Sequence, residues 1–211
     1  AYIGIWAISP KHLFADNLKD ELWLVAGGVF GGSLYFFTEN TALGITQASN
    51  VAFIICTAPL LTTILSLLFY KSEKATKGLV YGSLLALIGV GLVVFNGSVV
   101  LKLSPVGDLL TLLAALSWAF YSLVIKRMTG RYPTVFITRK IFFYGVLTIL
   151  PAFLLHPLQP DFDVLLQPLV LSNLLFLAVL ASLICYILWN VVLKQLGTMR
   201  ASNYIYLNPL V

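Results

Sequence analysis

The chain has 211 residues, of which 60% are hydrophobic and only 10% charged, and its mean hydropathy is +0.96. A water-soluble domain of this size needs far more charge to cover its surface, so a soluble globular fold is excluded. The formal charge of +5 does not point to nucleic acid, because the basic residues sit in short clusters between long apolar runs, which is how a bilayer sorts charge.

In chain order, residues 1–9 are apolar but too short to cross about 30 Å of hydrocarbon. They read as the tail of a span that begins elsewhere, with no cleavable signal peptide. Residues 10–21 form a polar loop. Spans are expected at 22–43, 50–70, 78–95, 106–125, 134–155 and 169–193, and another apolar run starts near Met199. The reading is therefore an all-α, polytopic helical membrane protein with six whole spans and two partial ones, a piece of a longer chain. A β-barrel is disfavoured, because the runs are long and lack a period of two. Cys56 and Cys185 fall inside spans and read as packing residues rather than a disulfide or metal pair.

Orientation follows from Lys and Arg. Loops 10–21, 70–77, 126–140 and 194–200 hold Lys11, Lys19, Lys71, Lys74, Lys77, Lys126, Arg127, Arg131, Arg139, Lys140, Lys194 and Arg200. Loops 44–49, 96–105 and 156–168 hold only Lys102. This bias predicts that the first set is cytoplasmic. Arg139 and Lys140 read as orientation anchors in preference to ligands.

Residues 27–59 contain a pattern that returns near the end of the chain. Gly27/Gly31 and Gly28/Gly32 form overlapping small-xxx-small pairs, then Glu39-Asn40 interrupts an apolar run, and Pro59 breaks the next. Asn190-Val-Val-Leu193 echoes Asn40-Thr-Ala-Leu43, Ala201-Ser-Asn203 echoes Ala48-Ser-Asn50, and Pro209-Leu210 echoes Pro59-Leu60. The loop alternation inserts the two copies with opposite polarity. Inverted repeats of this kind are typical of secondary transporters, with the substrate near the midplane.

Several stretches carry a family resemblance. Residues 107–128 (GDLLTLLAALSWAFYSLVIKRM) lead from small residues to Ser-Trp and end in a basic pair. Residues 136–151 carry Arg139, residues 174–197 run into 198–209, Thr57-Ala-Pro-Leu-Leu61 bears a proline, and 78–91 is Gly-rich. Together they resemble the EamA-type branch of the drug/metabolite transporter superfamily, whose members are built from two five-helix units. The resemblance implies a first repeat at 1–97, lacking its first helix and part of its second. It implies a second repeat at 104–211, lacking its last helix. The fourth-to-fifth loop of such proteins often carries Gly-Glu; here it reads Tyr70-Lys-Ser-Glu73. The implied function is secondary transport or export of small amino-acid-like or drug-like organic solutes by alternating access, without a cofactor and without catalysis. An intramembrane lipid-modifying enzyme or a non-transporting interaction module are the alternatives.

Glu39 is the acidic residue furthest inside a span, and a charge there is expensive. It reads either as a proton-coupling or substrate-amine site, or as a carboxyl snorkelling to the interface. Tyr35 lies one turn below on the same Gly-lined face. Asn40 and Asn190 match in the two copies and serve either as interhelical glue or as cavity lining. Asn50 and Asn203 read as helix caps. Trp118, Tyr121, Tyr186 and Trp189 lie mid-span, where they either pack or offer flat faces to an organic substrate. Tyr204 and Asn208 share a stripe of the last helix and are cavity candidates. Pro59 and Pro209 are candidate hinges, or static kinks. Gly78, Gly82 and Ala86 read as a packing stripe, with a homodimer contact as one use. His12 and His156 have no metal-type partner at suitable spacing. The expected partners are a small-molecule substrate, membrane lipid and protons as a coupling ion.

Overall fold

The structure, a computed structural model, describes residues 14–70, 76–95, 104–155 and 161–210. Side chains of 93–95, 153–155 and 208–210 also lie outside the described set. All regular elements among the described residues are helical. Helix α1 runs through 18–45, with a π-helical turn at Val29–Ser33. Next come α2 (Ala48–Phe69), α3 (Lys77–Phe95), α4 (Pro105–Thr129) and α5 (Thr134–Leu155). The short α6 (Phe162–Leu165) precedes α7 (Pro168–Leu196), which has a π-helical stretch at Leu177–Ile184. The described chain closes with α8 (Thr198–Ser202), running into a 3-10 segment, Asn203–Leu210.

Helices thus stand where six whole spans were expected. Among the described residues, four helices are long and apolar enough to cross a bilayer: Ala48–Phe69, Pro105–Thr129, Thr134–Ala152 and Pro168–Leu196. Helix α3 is apolar as well, KGLVYGSLLALIGVGLVVF over Lys77–Phe95. Helix α1 is more polar, carrying Lys19, Asp20, Glu21 and Glu39.

Local chemistry fixes the helix ends. Asn17 is extended (φ −149°, ψ 158°) and its side chain accepts from the Asp20 amide at 2.8 Å. Asp20 and Glu21 then lie in the first turn of α1, where the helix dipole favours acid. Helix α2 breaks at Cys56–Thr57, and Pro59 occupies the first turn of its second half, Ala58–Phe69. Because proline has no N–H, the Ile55 carbonyl loses its i+4 partner there. Helices α7 and α8 meet at Gly197, whose φ of +79° is costly for any other L-residue.

Helix α4 is the centre. Its small residues Ala114, Ala115, Ser117, Ala119 and Ser122 are all buried, which lets neighbouring backbones come close. The main core joins Leu24 of α1 to Tyr121, Val124, Ile125 and Met128 of α4, Ile137 and Ile141 of α5, and Tyr186 and Leu193 of α7. Helices α1 and α5 touch through glycine. A Cβ on Gly28 would lie 2.5 Å from Tyr144 Cβ, and one on Gly32 would lie 3.0 Å from Gly145 Cα. The expected close approach of the glycine face is therefore present. Gly78 and Gly82 differ: a Cβ on either meets nothing within 4 Å, whereas Ala86 of the same stripe packs beside Cys56 and Tyr206.

The two hairpin turns stand at opposite ends. Beside the α1–α2 turn, Thr46 Oγ1 donates to Asp108 Oδ1 at 3.5 Å and Ser104 Oγ donates to the Ile45 carbonyl at 3.3 Å. At the other end the basic segments gather. Arg131 pairs with Asp20 at 2.9 Å, Lys140 pairs with Glu21, and Tyr132 and Tyr144 donate to the same two carboxylates. Tyr70 Oη donates to the Leu123 carbonyl at 3.0 Å beneath Lys126. Thr76 and Leu79 line a small cavity with 196–200, the α7–α8 turn. Arg139 and Lys140 are both buried. Lys140 is held by Glu21, and the Arg139 guanidinium lies 5.3 Å from the Phe136 ring centroid.

Candidate functional site

The π-helical turn of α1 loosens the backbone ladder and turns two carbonyls outward. Ser117 Oγ donates to the Phe30 carbonyl at 2.8 Å, and Tyr186 Oη donates to the Gly31 carbonyl at 2.7 Å. Gly31 is there to admit an aromatic ring. A Cβ on it would sit 2.2 Å from Tyr121 Cδ2. Tyr121 Oη in turn donates to Asn190 Oδ1 at 2.8 Å, and Asn190 Nδ2 donates to Thr138 Oγ1 at 2.8 Å. This chain of bonds ties α4, α5 and α7 together at one depth, and Tyr186 fastens α7 to α1. Asn190 is fully buried, as an amide with both ends satisfied can be.

On one side of this network lies a cavity of about 260 Å³. Tyr35 of α1 and Ile55 of α2 line it from the first half of the chain. Trp118, Tyr186, Trp189, Tyr204 and Ile205 line it from the second, with Ala181 and Cys185. Trp118 is the hub. Its ring centroid is 5.1 Å from those of Tyr35 and Tyr121, 5.7 Å from Trp189 and 5.9 Å from Tyr186. The indole nitrogens of Trp118 and Trp189 are buried and have no hydrogen-bond partner among the described residues. Buried donors of that kind are uncommon in a settled core. Tyr35 Oη donates to Glu39 Oε1 at 2.9 Å, which sets a half-buried carboxyl one turn beyond the aromatic wall.

Five of the residues singled out from sequence, Tyr35, Trp118, Tyr186, Trp189 and Tyr204, meet around this cavity. Tyr121 and Asn190 stand behind its wall. Asn40 is a correction. It is exposed and its amide donates to the Phe36 carbonyl of its own helix at 2.8 Å. Adjacent residues on a helix point about 100° apart, so Glu39 turns inward and Asn40 outward. It is therefore not the counterpart of Asn190. The capping roles are also corrected. Asn50 lies inside the first turn of α2, preceded by Gln47 at the cap position. Asn203 stands at the C-cap of α8 and not at a helix start, and it accepts from Ser83 Oγ at 3.2 Å. Side chains of Asn208 and Pro209 lie outside the described residues. Cys185 is exposed and lines the cavity, while Cys56 is buried as a packing residue should be. Ile55, Ala181 and Ile205 went unnoticed in the sequence because a single apolar residue in an apolar span carries no distinguishing mark.

Buried polar side chains around an aromatic cavity, on helices apolar enough to span a bilayer, define a polytopic helical membrane protein with an internal pocket. The sequence profile of the EamA-like transporter family matches residues 1–95 and again 105–211, and the chain belongs to that family. It is 26% identical over 207 residues to an uncharacterized transporter of Archaeoglobus fulgidus, covering 97% of this chain and 70% of the relative. It is 29% identical to the uncharacterized transporter YyaM of Bacillus subtilis, covering 95% of this chain and 65% of the relative. It is 26% identical to a Salmonella typhimurium protein named "Probable amino-acid metabolite efflux pump", covering 96% of this chain and 70% of that one. A crystal structure matches with a TM-score of 0.71 at 20% identity, covering 90% of this chain and 64% of its own, which shows the shared fold. The chain thus spans about two thirds of the length of these proteins.

Proposed function

We propose that the full-length protein containing this chain is a secondary transporter that exports small organic solutes across the cytoplasmic membrane by alternating access. The observation that carries this reading is the cavity around Trp118, walled by aromatic residues from both halves of the chain. Flat faces with unpaired indole N–H groups suit an organic solute carrying a polar acceptor. The Salmonella relative's name supports amino-acid-like metabolites. In this reading residues 1–97 and 104–211 are parts of two inverted units. The loops at 10–21, 70–77, 126–140 and 194–200 face the cytoplasm, and the break at Pro59 serves as a hinge.

Glu39 is the proton-coupling group in this reading, with Tyr35 linking it to the pocket. Export profiling of overproducing cells, followed by flux into proteoliposomes, tests the transport activity. The absence of any gradient-driven flux across a broad metabolite panel overturns it. Glu39→Gln is expected to abolish dependence on a pH gradient while leaving substrate exchange intact. Transport that stays fully proton-dependent in that variant removes Glu39 from the coupling role.

A further inference from the structure

A second cavity, of about 410 Å³, lies away from the aromatic pocket, between α1, α2 and α4. It is lined by Trp23 and Phe30 of α1, by Phe69 and Tyr70 at the end of α2, and by Phe120, Leu123, Val124 and Arg127 of α4. Its walls are almost wholly apolar. Phe30 and Phe120 stack with centroids 5.2 Å apart, and Phe69 meets Phe120 edge-on at 6.3 Å. Phe69 is 63% exposed, so among the described residues the groove opens on the outer surface of the helices.

One end of the groove is cationic. The Arg127 guanidinium lies over the Trp23 ring at 4.7 Å, and its Nε is buried without a hydrogen-bond partner among the described residues. Lys126 lies beside it, 4.3 Å from the Tyr70 ring centroid. The acidic residues nearest in sequence to Trp23, Asp20 and Glu21, are taken by Arg131 and Lys140. A guanidinium with an unused donor, at the mouth of an exposed apolar groove, asks for an anion joined to a hydrocarbon tail. The position is right as well, since Arg127 belongs to the end where the basic segments gather, at headgroup depth.

We infer that this groove binds one anionic phospholipid of the leaflet next to the basic segments. Its phosphate sits against Arg127, and an acyl chain lies along Phe30, Phe69 and Phe120. The cavity volume falls within the range of ordinary ligand sites. Arg suits a phosphate better than Lys because its fork presents two parallel donors. This inference rests on the membrane location and on the groove, and it stands whether or not the transport reading holds.

The test is native mass spectrometry of the full-length protein, extracted from vesicles with equal phosphatidylglycerol and phosphatidylcholine. The wild type is expected to retain phosphatidylglycerol in preference. Arg127→Gln is expected to lower that preference about fivefold, the effect of one basic residue near a bilayer surface. Arg127→Lys is expected to keep part of it. Equal retention of the two lipids by the wild type, or an unchanged preference in Arg127→Gln, overturns the inference. Displacement of the lipid by millimolar inorganic phosphate overturns it in favour of a soluble anion. Crosslinking of position 69 to another segment of the protein overturns it in favour of a polypeptide occupant. Should Arg127→Gln fail to assemble, a variant in which Trp6, Trp118, Trp189 and any tryptophan beyond this chain are replaced by Phe reports through Trp23. Brominated-chain phosphatidylglycerol should then quench its fluorescence more than brominated phosphatidylcholine, and equal quenching overturns the inference.

Discussion

Glycines separate into two kinds by what surrounds them. At Gly31 a methyl group would enter the Tyr121 ring, whereas at Gly82 it would meet open space. Gly31→Ala should therefore force the Tyr121–Asn190 pair apart and lower stability by about 1–3 kcal/mol, the usual range for overpacking. Gly82→Ala should be neutral or slightly stabilising, because alanine is the better helix former. Thermal unfolding of the two variants in detergent checks both; a milder effect at Gly31 than at Gly82 would contradict the packing described. Sequence alone did not separate these glycines, since both sit at small-xxx-small spacing. The spacing reports that a helix can approach, and only the fold says whether one does. Glu39 and Asn40 make the same point about polar residues. They are neighbours in sequence on one helix, yet one bonds the Tyr35 side chain beside the cavity and the other a backbone carbonyl on the surface.

The break in α2 illustrates what an element shows and hides. The proline and the interruption it causes were legible from the residues, because a missing N–H has a fixed consequence. The π-helical turns in α1 and α7 were not, because no composition distinguishes Val29–Ser33 from an ordinary helical turn. Yet the turn in α1 is what frees the Phe30 and Gly31 carbonyls for Ser117 and Tyr186. Pro59→Ala restores an N–H opposite the Ile55 carbonyl at the cavity wall. It should leave thermal stability equal or higher while slowing turnover in a flux assay, if the break is a working hinge. Unchanged turnover would mark it as a static kink.

At the scale of the whole molecule, the alternation of charged loops was the most informative feature of the sequence. Hydropathy placed the helices to within a few residues, and the basic segments do collect at one end. An impermeant amine reagent should modify the exposed Lys19 and Lys194 from one face of the membrane and Lys102 from the other. Labelling of Lys19 and Lys194 from opposite faces would break the topology. The ion pairs at that end also make a prediction about pH. Burial pushes the Asp20 carboxyl up, but the hydrogen bonds from Arg131, Tyr132 and Asn17 outweigh it and leave it below its ordinary value. Burial likewise pushes Glu21 up, and Lys140, Tyr144 and the Ala15 amide bring it below. Both contributions are therefore complete above the unfolded carboxylate range, near pH 4. They are lost as pH falls through the lower folded values. Thermal stability should decline below about pH 4, and Lys140→Met should flatten that acid decline; an identical acid profile in the variant would show that the pair does not contribute.

The pairs that close this end join residues 111 and 119 positions apart, with the acids first in the chain. As the polypeptide leaves the ribosome, α1 reaches the translocon long before α5 has been made. Until then its glycine face meets lipid or chaperone in place of Tyr144 and Gly145. Assembly is thus deferred to a late stage of synthesis, and a nascent chain arrested before residue 134 should remain open to proteases at α1.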